Sequence, residues 1–181
     1  MLSHIPIPES DHSLSADKVS NFCPVWKPYE SDKPRLRTKL GCFQVDSFRL
    51  PHNGRPNCGY LISVDGQKIL YITDYEYVPY NLSEQGINIA LVELNYQSDR
   101  ITDIDEHRQH IVLGHAEEKT VIEFLGTIKK NLRKVILCHM SRSDALDRDL
   151  AMKNIREVLP EYIEVMYAKQ GLETSLNEIP F

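Results

Sequence analysis

The stretch Lys68-Ile69-Leu70-Tyr71-Ile72-Thr73-Asp74 decides how this chain is read, because an apolar run of strand length ends there on a carboxylate. Isoleucine, leucine and tyrosine suit a half-buried pleated surface, and a polar residue just past such a strand is presented by a loop from a rigid scaffold. Upstream, Asp65-Gly66 is a hairpin signal that joins this run to residues 57–64, and residues 42–50 read as the strand before. These are consecutive strands, largely antiparallel.

Downstream the texture alternates. Residues 89–94 are strand-like, and residues 107–125 carry helical periodicity at Ile111, Val112, His115, Val121, Phe124 and Leu125, with a break near Gly114. A short apolar strand, 134–138, follows the basic helix end at Lys129, Lys130 and Arg133. Residues 147–159 form an amphipathic helix stopped by Pro160, and 163–168 a last strand. Strand alternating with helix predicts an α/β layering with at least one covered sheet face. By contrast, residues 1–40 read as irregular, broken by Pro6, Pro8, Pro24, Pro28 and Pro34, with room for one short helix over 13–22. The expectation is one domain over 1–181, an irregular segment to 40 and a core from 41.

Composition bounds the function. With 181 residues, 41% hydrophobic and 26% charged, the chain has the size and balance of a single globular domain. A formal net charge of −5 argues against a broad basic surface for nucleic-acid backbone, so a nuclease role would need metal ions to hold phosphate. Cys23, Cys42, Cys58 and Cys138 show no CxxC spacing and read as free thiols, mostly buried. No apolar span or leader is evident, and the reading is a cytoplasmic protein with no membrane segment.

Polar residues stand at four strand ends: His52 after Leu50, Asp74 after Thr73, Asn95 after Leu94, and His139 after Cys138. Taken singly, each has a bland account, since a strand-end histidine is more often a surface residue and an aspartate a turn cap. Together, with Asp11-His12 upstream, they supply the nitrogen and oxygen donors that a borderline divalent ion prefers. A carboxylate such as Asp74 can bridge two ions while neutral imidazoles complete the shells. That is hydrolase chemistry, in which a metal acidifies its water.

The ordered segments Leu50-Pro51-His52-Asn53, Asn57-Cys58-Gly59-Tyr60-Leu61-Ile62, Thr73-Asp74, Val92-Glu93-Leu94-Asn95-Tyr96, Gly114-His115 and Ile136-Leu137-Cys138-His139-Met140-Ser141 resemble the later motifs of the metallo-β-lactamase-fold hydrolases. Within them, the chain is most similar to the small bacterial and phage exonuclease-like phosphodiesterases. The resemblance implies an αββα sandwich. It implies His52 as a ligand of a first metal, Asp74 as the bridging carboxylate, His139 as a ligand of a second metal, and His115 beside the substrate. It further implies Asp11 and His12 as the end of a His-x-His-x-Asp-His motif that begins at His4. One or two ions, zinc or manganese, would be the cofactor.

The chain departs from that pattern at its start. Three extra residues separate His4 from Asp11-His12, the second histidine is absent, and two prolines stiffen the loop. The family's opening strands have no counterpart before Met1, so the expected sandwich lacks its first strands, and three readings stand for the apolar faces this leaves: a fragment, a homodimer or second chain that covers them, or a decayed relative. Asn95 and Tyr96 would tie the loops by hydrogen bonds, and Arg142 would meet an anionic substrate or be solvated. Tyr71, Tyr75, Tyr77 and Tyr80 around Asp74 read as packing groups or as a stacking surface. His107 and His110 read as surface residues. The functional expectation is a metal-dependent hydrolase of phosphodiester bonds, with DNA, RNA ends or a cyclic nucleotide as substrate. The rival is a catalytically degenerate or fragmentary protein of the same fold that binds a nucleotide or another protein.

Overall fold

The computed structural model describes residues 26–101, 111–141 and 144–175. Seven strands form one sheet in chain order: β1 (Arg35–Leu40), β2 (Phe43–Arg49), β3 (Cys58–Val64), β4 (Gln67–Ile72), β5 (Ile89–Glu93), β6 (Lys134–Cys138) and β7 (Glu164–Tyr167). The first four pair antiparallel and the last four parallel. Helix α1 (Glu118–Ile128) lies in the crossover from β5 to β6, and α2 (Arg148–Val158) in that from β6 to β7. The sheet is therefore mixed and the class α/β.

Local chemistry explains the joints. Between β3 and β4, Val64 pairs with Gln67, which leaves Asp65 (φ 47°) and Gly66 (φ 76°) as the two central residues of the turn. Both are left-handed, the geometry that matches strand twist and that Asp-Gly adopts readily. Helix α2 begins where the Asp147 side chain accepts from the Leu150 amide at 3.1 Å, an N-cap, and ends before Pro160. As the periodicity foretold, the helical turn over 111–114 stops short of α1, and His115 lies in the break.

One expectation fails here. The proline-broken pattern of residues 1–40 predicts an irregular segment, yet Arg35–Leu40 is a strand. It has no apolar signature: Arg35, Arg37 and Lys39 are exposed, and the segment is held by its ladder to β2 and by Arg37 Nε against Asp46 Oδ1 at 2.5 Å. Charges on an exposed edge strand discourage pairing with another chain. The helix expected over 13–22 lies outside the described residues.

The core occupies one face of the sheet. Leu61, Leu70, Ile72, Ala90, Val92, Val135, Leu137 and Val165 alternate along the strands and meet Val121, Phe124, Leu125 and Ile128 of α1 and Ala151 and Ile155 of α2. Each large side chain buried there contributes roughly 1.5–3 kcal/mol relative to exposure. Gly59 belongs to this face because a Cβ would lie 2.7 Å from Ile72 and from the Phe48 ring. The opposite face carries buried Val45, Ile89 and Ile136, half-buried Tyr60, Ile62, Ile69, Leu91 and Met166, and exposed Phe43 and Tyr71. Trp26 packs edge-on against Tyr60 there, with ring centroids 6.3 Å apart. Among the described residues, no helix is long and apolar enough to cross a membrane.

Candidate metal centre

Strand direction gathers the polar residues. Strands β2, β4, β5 and β6 all run the same way, since β3 is antiparallel to both β2 and β4, and β4 to β6 are parallel. Their C-terminal ends share one edge of the sheet, and that edge receives His52, Asp74, Asn95 and His139. The reversed strand β3 contributes its start, Asn57, to the same edge. Ligands in α/β sheets commonly sit outside carboxyl ends of strands.

Each histidine is held by its Nδ1 nitrogen. His52 Nδ1 lies 2.6 Å from the Gly114 carbonyl oxygen, which can only accept, so Nδ1 carries the proton and Nε2 the lone pair. Gly114 permits this approach, because a Cβ would stand 3.3 Å from the His52 ring. His115 Nδ1 lies 2.7 Å from Glu93 Oε1, and His139 Nδ1 lies 3.1 Å from the same oxygen. A neutral imidazole with its Nδ1 proton given to an oxygen acceptor presents Nε2 as a metal-binding nitrogen.

The side chains gather around two carboxylates, Asp74 and Glu93. Ligand atoms of His52, Asp74 and His115 lie within 4.8 Å of one another, as do those of Glu93, His115 and His139. His139 Nε2 is 3.5 Å from Asp74 Oδ1. The His115 ring centroid is 5.2 Å from that of His52 and 5.2 Å from that of His139, so His115 is the middle of three. Imidazole nitrogens oriented by oxygen acceptors, beside a carboxylate, fit a borderline divalent ion such as zinc.

Glu93 has no exposure, and burial alone would push its carboxyl up. Hydrogen bonds from His115 and His139, and then their charges, outweigh burial and hold it below the usual carboxylate range. Reciprocally, the bond to Glu93 raises His139 above the ordinary imidazole value, with burial opposing. Glu93 Oε2 also accepts from the Tyr75 amide at 3.2 Å. Beside it, burial and the charges of Glu93 and Asp74 push the Cys138 thiol up to about 12, so it is a protonated packing group.

Two of the ligand candidates have left-handed backbones, Asp74 at φ 55° and His139 at φ 51°. Non-glycine residues in this region are uncommon and concentrate at functional sites. Asn57 Nδ2 donates to the Asp74 carbonyl at 2.5 Å and to that of Thr73 at 2.9 Å, and Asn95 Nδ2 donates to the His139 carbonyl at 2.9 Å.

Thus the structure brings together His52, Asp74, His115 and His139, with Asn95 beneath them. Tyr96 is elsewhere: it is buried beside Ile111 and Ala145, and its hydroxyl donates to the Val112 carbonyl at 3.4 Å, bracing the segment that leads to Gly114. Tyr75 is fully buried, and Tyr80 packs edge-on against Phe48 under the Arg35 guanidinium, so both are packing groups, while Tyr71 and Tyr77 are exposed. His4, Asp11, His12, His107, His110 and Arg142 lie outside the described residues. Cys42, expected among the buried thiols, is exposed in the turn after Gly41. Sequence reasoning gave no role to Glu93 or Asn57. The signal for Glu93 was there, since a carboxylate inside Ile89-Ala90-Leu91-Val92-Glu93-Leu94 is buried and must be paired.

No protein-family model matches the chain, and no curated protein matches it. Solved structures do. The metallo-β-lactamase fold protein YhfI from Bacillus subtilis aligns with a TM-score of 0.58 at 16% identity, over 77% of this chain and 51% of that one. Zn(2+)-bound PqqB from Methylobacterium extorquens aligns at 0.53 and 14% identity, over 76% and 52%. A diphosphatase from the PhnP family aligns at 0.51 and 15% identity, over 77% and 46%. The chain has the metallo-β-lactamase fold and spans about half the length of these three structures.

Proposed function

We propose that the chain is a metal-dependent hydrolase of phosphodiester bonds. The observation that carries this reading is the convergence of His52, Asp74 and His115 within 4.8 Å, with His139 beside Asp74 and a buried carboxylate behind His115 and His139. When bound there, a zinc or manganese ion would supply Lewis acidity and an acidified water.

The chain's own groups have separable tasks. Asp74, His52 and His139 would hold the cofactor, one or two ions. Glu93 accepts from Nδ1 of both His115 and His139, which fixes their orientation, and it favours the charged form of His139. His115, middle of the three rings, would give a proton from Nε2 to the oxygen whose bond to phosphorus breaks as the water oxygen bonds to phosphorus, and the proton shed by the water would return to the imidazole. His115 is 9% exposed, so this transfer occurs where water is mostly excluded.

A phosphorus ester rather than another electrophile is favoured by the diphosphatase among the similar structures and by the motif order around His115. The net charge of −5 favours a small nucleotide or a nucleic-acid end over a long duplex backbone. The test is hydrolysis of a chromogenic phosphodiester by the full chain with zinc or manganese, against His115→Gln. The reading expects metal-dependent turnover that falls by about a hundredfold or more in the variant. Metal binding without turnover on any phosphodiester would overturn it in favour of a binding module.

A further inference from the structure

We infer that Asn57 and Asn95 are a matched pair of positioning residues that set the metal affinity of this site, an inference that rests on the proposed metal-dependent reading. Asp74 and His139 follow the ends of β4 and β6 in the same unusual backbone state, φ 55° and φ 51°. Each has its carbonyl taken by one asparagine amide, Asn57 Nδ2 at 2.5 Å and Asn95 Nδ2 at 2.9 Å.

The need for an amide follows from the turn. A left-handed residue at a strand end swings its carbonyl out of the ladder, and a partly buried carbonyl with no donor loses its compensation for water. With the donor gone, the residue relaxes toward the ordinary φ range and carries its Cβ, hence its ligand atom, to another place. Asparagine has the reach and the NH2 group. Aspartate would set an acceptor against an acceptor.

What distinguishes the pair from ordinary loop hydrogen bonds is which elements each side chain joins. Asn57 closes the loop that bears His52, where its own carbonyl accepts from the Leu50 amide at 3.1 Å, and its side chain reaches across to Thr73 and Asp74. A second stitch parallels it, the Glu76 amide on the Pro51 carbonyl at 2.9 Å. Asn57 therefore fixes the spacing of His52 to Asp74. Asn95 follows Glu93 by two residues, and its backbone carbonyl accepts from Ser141 at 3.2 Å while its side chain holds His139. It fixes His139 against Glu93. Asn95 is 6% exposed and its Oδ1 meets no hydrogen-bond donor among the described residues, so the buried amide is kept there at a cost that its role as donor offsets.

The test compares the full-length wild type with Asn57→Ala, Asn95→Ala, Asn57→Asp and Asn57→Gln in two measurements. Zinc affinity is read by competition with a chromophoric chelator, and the Cα and Cβ chemical shifts of Asp74 and His139 are read in metal-free protein. We expect each alanine variant and Asn57→Asp to lose about tenfold in affinity, with shifts moving at the braced residue, and Asn57→Gln to recover most of the loss. Alanine variants that bind within about twofold of wild type, with unmoved shifts, would overturn the inference. If Asn95→Ala does not fold, the half-buried Asn57 decides. A wild type that binds no zinc overturns the metal reading instead, and the shifts of Asp74 in metal-free Asn57→Ala still decide whether the brace exists.

Discussion

Glu93 Oε1 lies 2.7 Å from His115 Nδ1 and 3.1 Å from His139 Nδ1, so a single buried oxygen orients two imidazoles. Glu93→Gln keeps the shape but removes the charge, and its NH2 replaces the oxygen that accepts from the Tyr75 amide. The expected outcome is a fall of roughly 10–100-fold in zinc affinity, with far-ultraviolet circular dichroism unchanged. Unaltered affinity would show that Glu93 only fills space.

The same pair gives the metal-free chain a defined pH response. Glu93 is held below 4.5, so its contribution is present above that value and is lost as acid takes the pH through its lower folded value. His139 is raised above 6.5, so its contribution is present below that value and is lost as the pH rises through its higher folded value. Between 4.5 and 6.5 both contributions are in force. Urea midpoints of metal-free wild type and His139→Gln should differ most in that window and converge in alkali. Because His139 is 43% exposed at its side chain, solvent screens the effect, and a small difference is expected. A difference that does not change with pH would refute the pairing.

Gly59 tests the packing under the site. Since a Cβ there would stand 2.7 Å from Ile72 Cγ2 and the Phe48 ring, Gly59→Ala should destabilise the chain by about 1–3 kcal/mol through overpacking. Chemical denaturation reads this directly. An unchanged midpoint would mean that β2, β3 and β4 yield more easily than the contacts suggest.

The sheet was legible because its strands are apolar and its turns carry their chemistry: residues 42–50, 57–64 and 68–73 were found within a residue or two, and Asp65-Gly66 marked its own hairpin. Arg35–Leu40 was illegible since its order comes from the β2 ladder, which no local pattern announces. At the site, His52, Asp74 and His139 could be placed because strand ends in parallel register fall on one edge. The tasks of Glu93 and Asn57 could not, because they arise from contacts across 22, 46 and 17 positions of chain. That Tyr96 supports the approach to Gly114 instead of the ligands likewise depends on its contact with Val112.

The most direct test of the central claim is the zinc content of the full chain after loading and desalting, measured by elemental analysis for wild type and Asp74→Ala. The account predicts stoichiometric zinc in the wild type and its loss in the variant, because Asp74 is the carboxylate beside His52, His115 and His139. A wild type that retains no zinc, or an Asp74→Ala protein that retains as much as wild type, would contradict it.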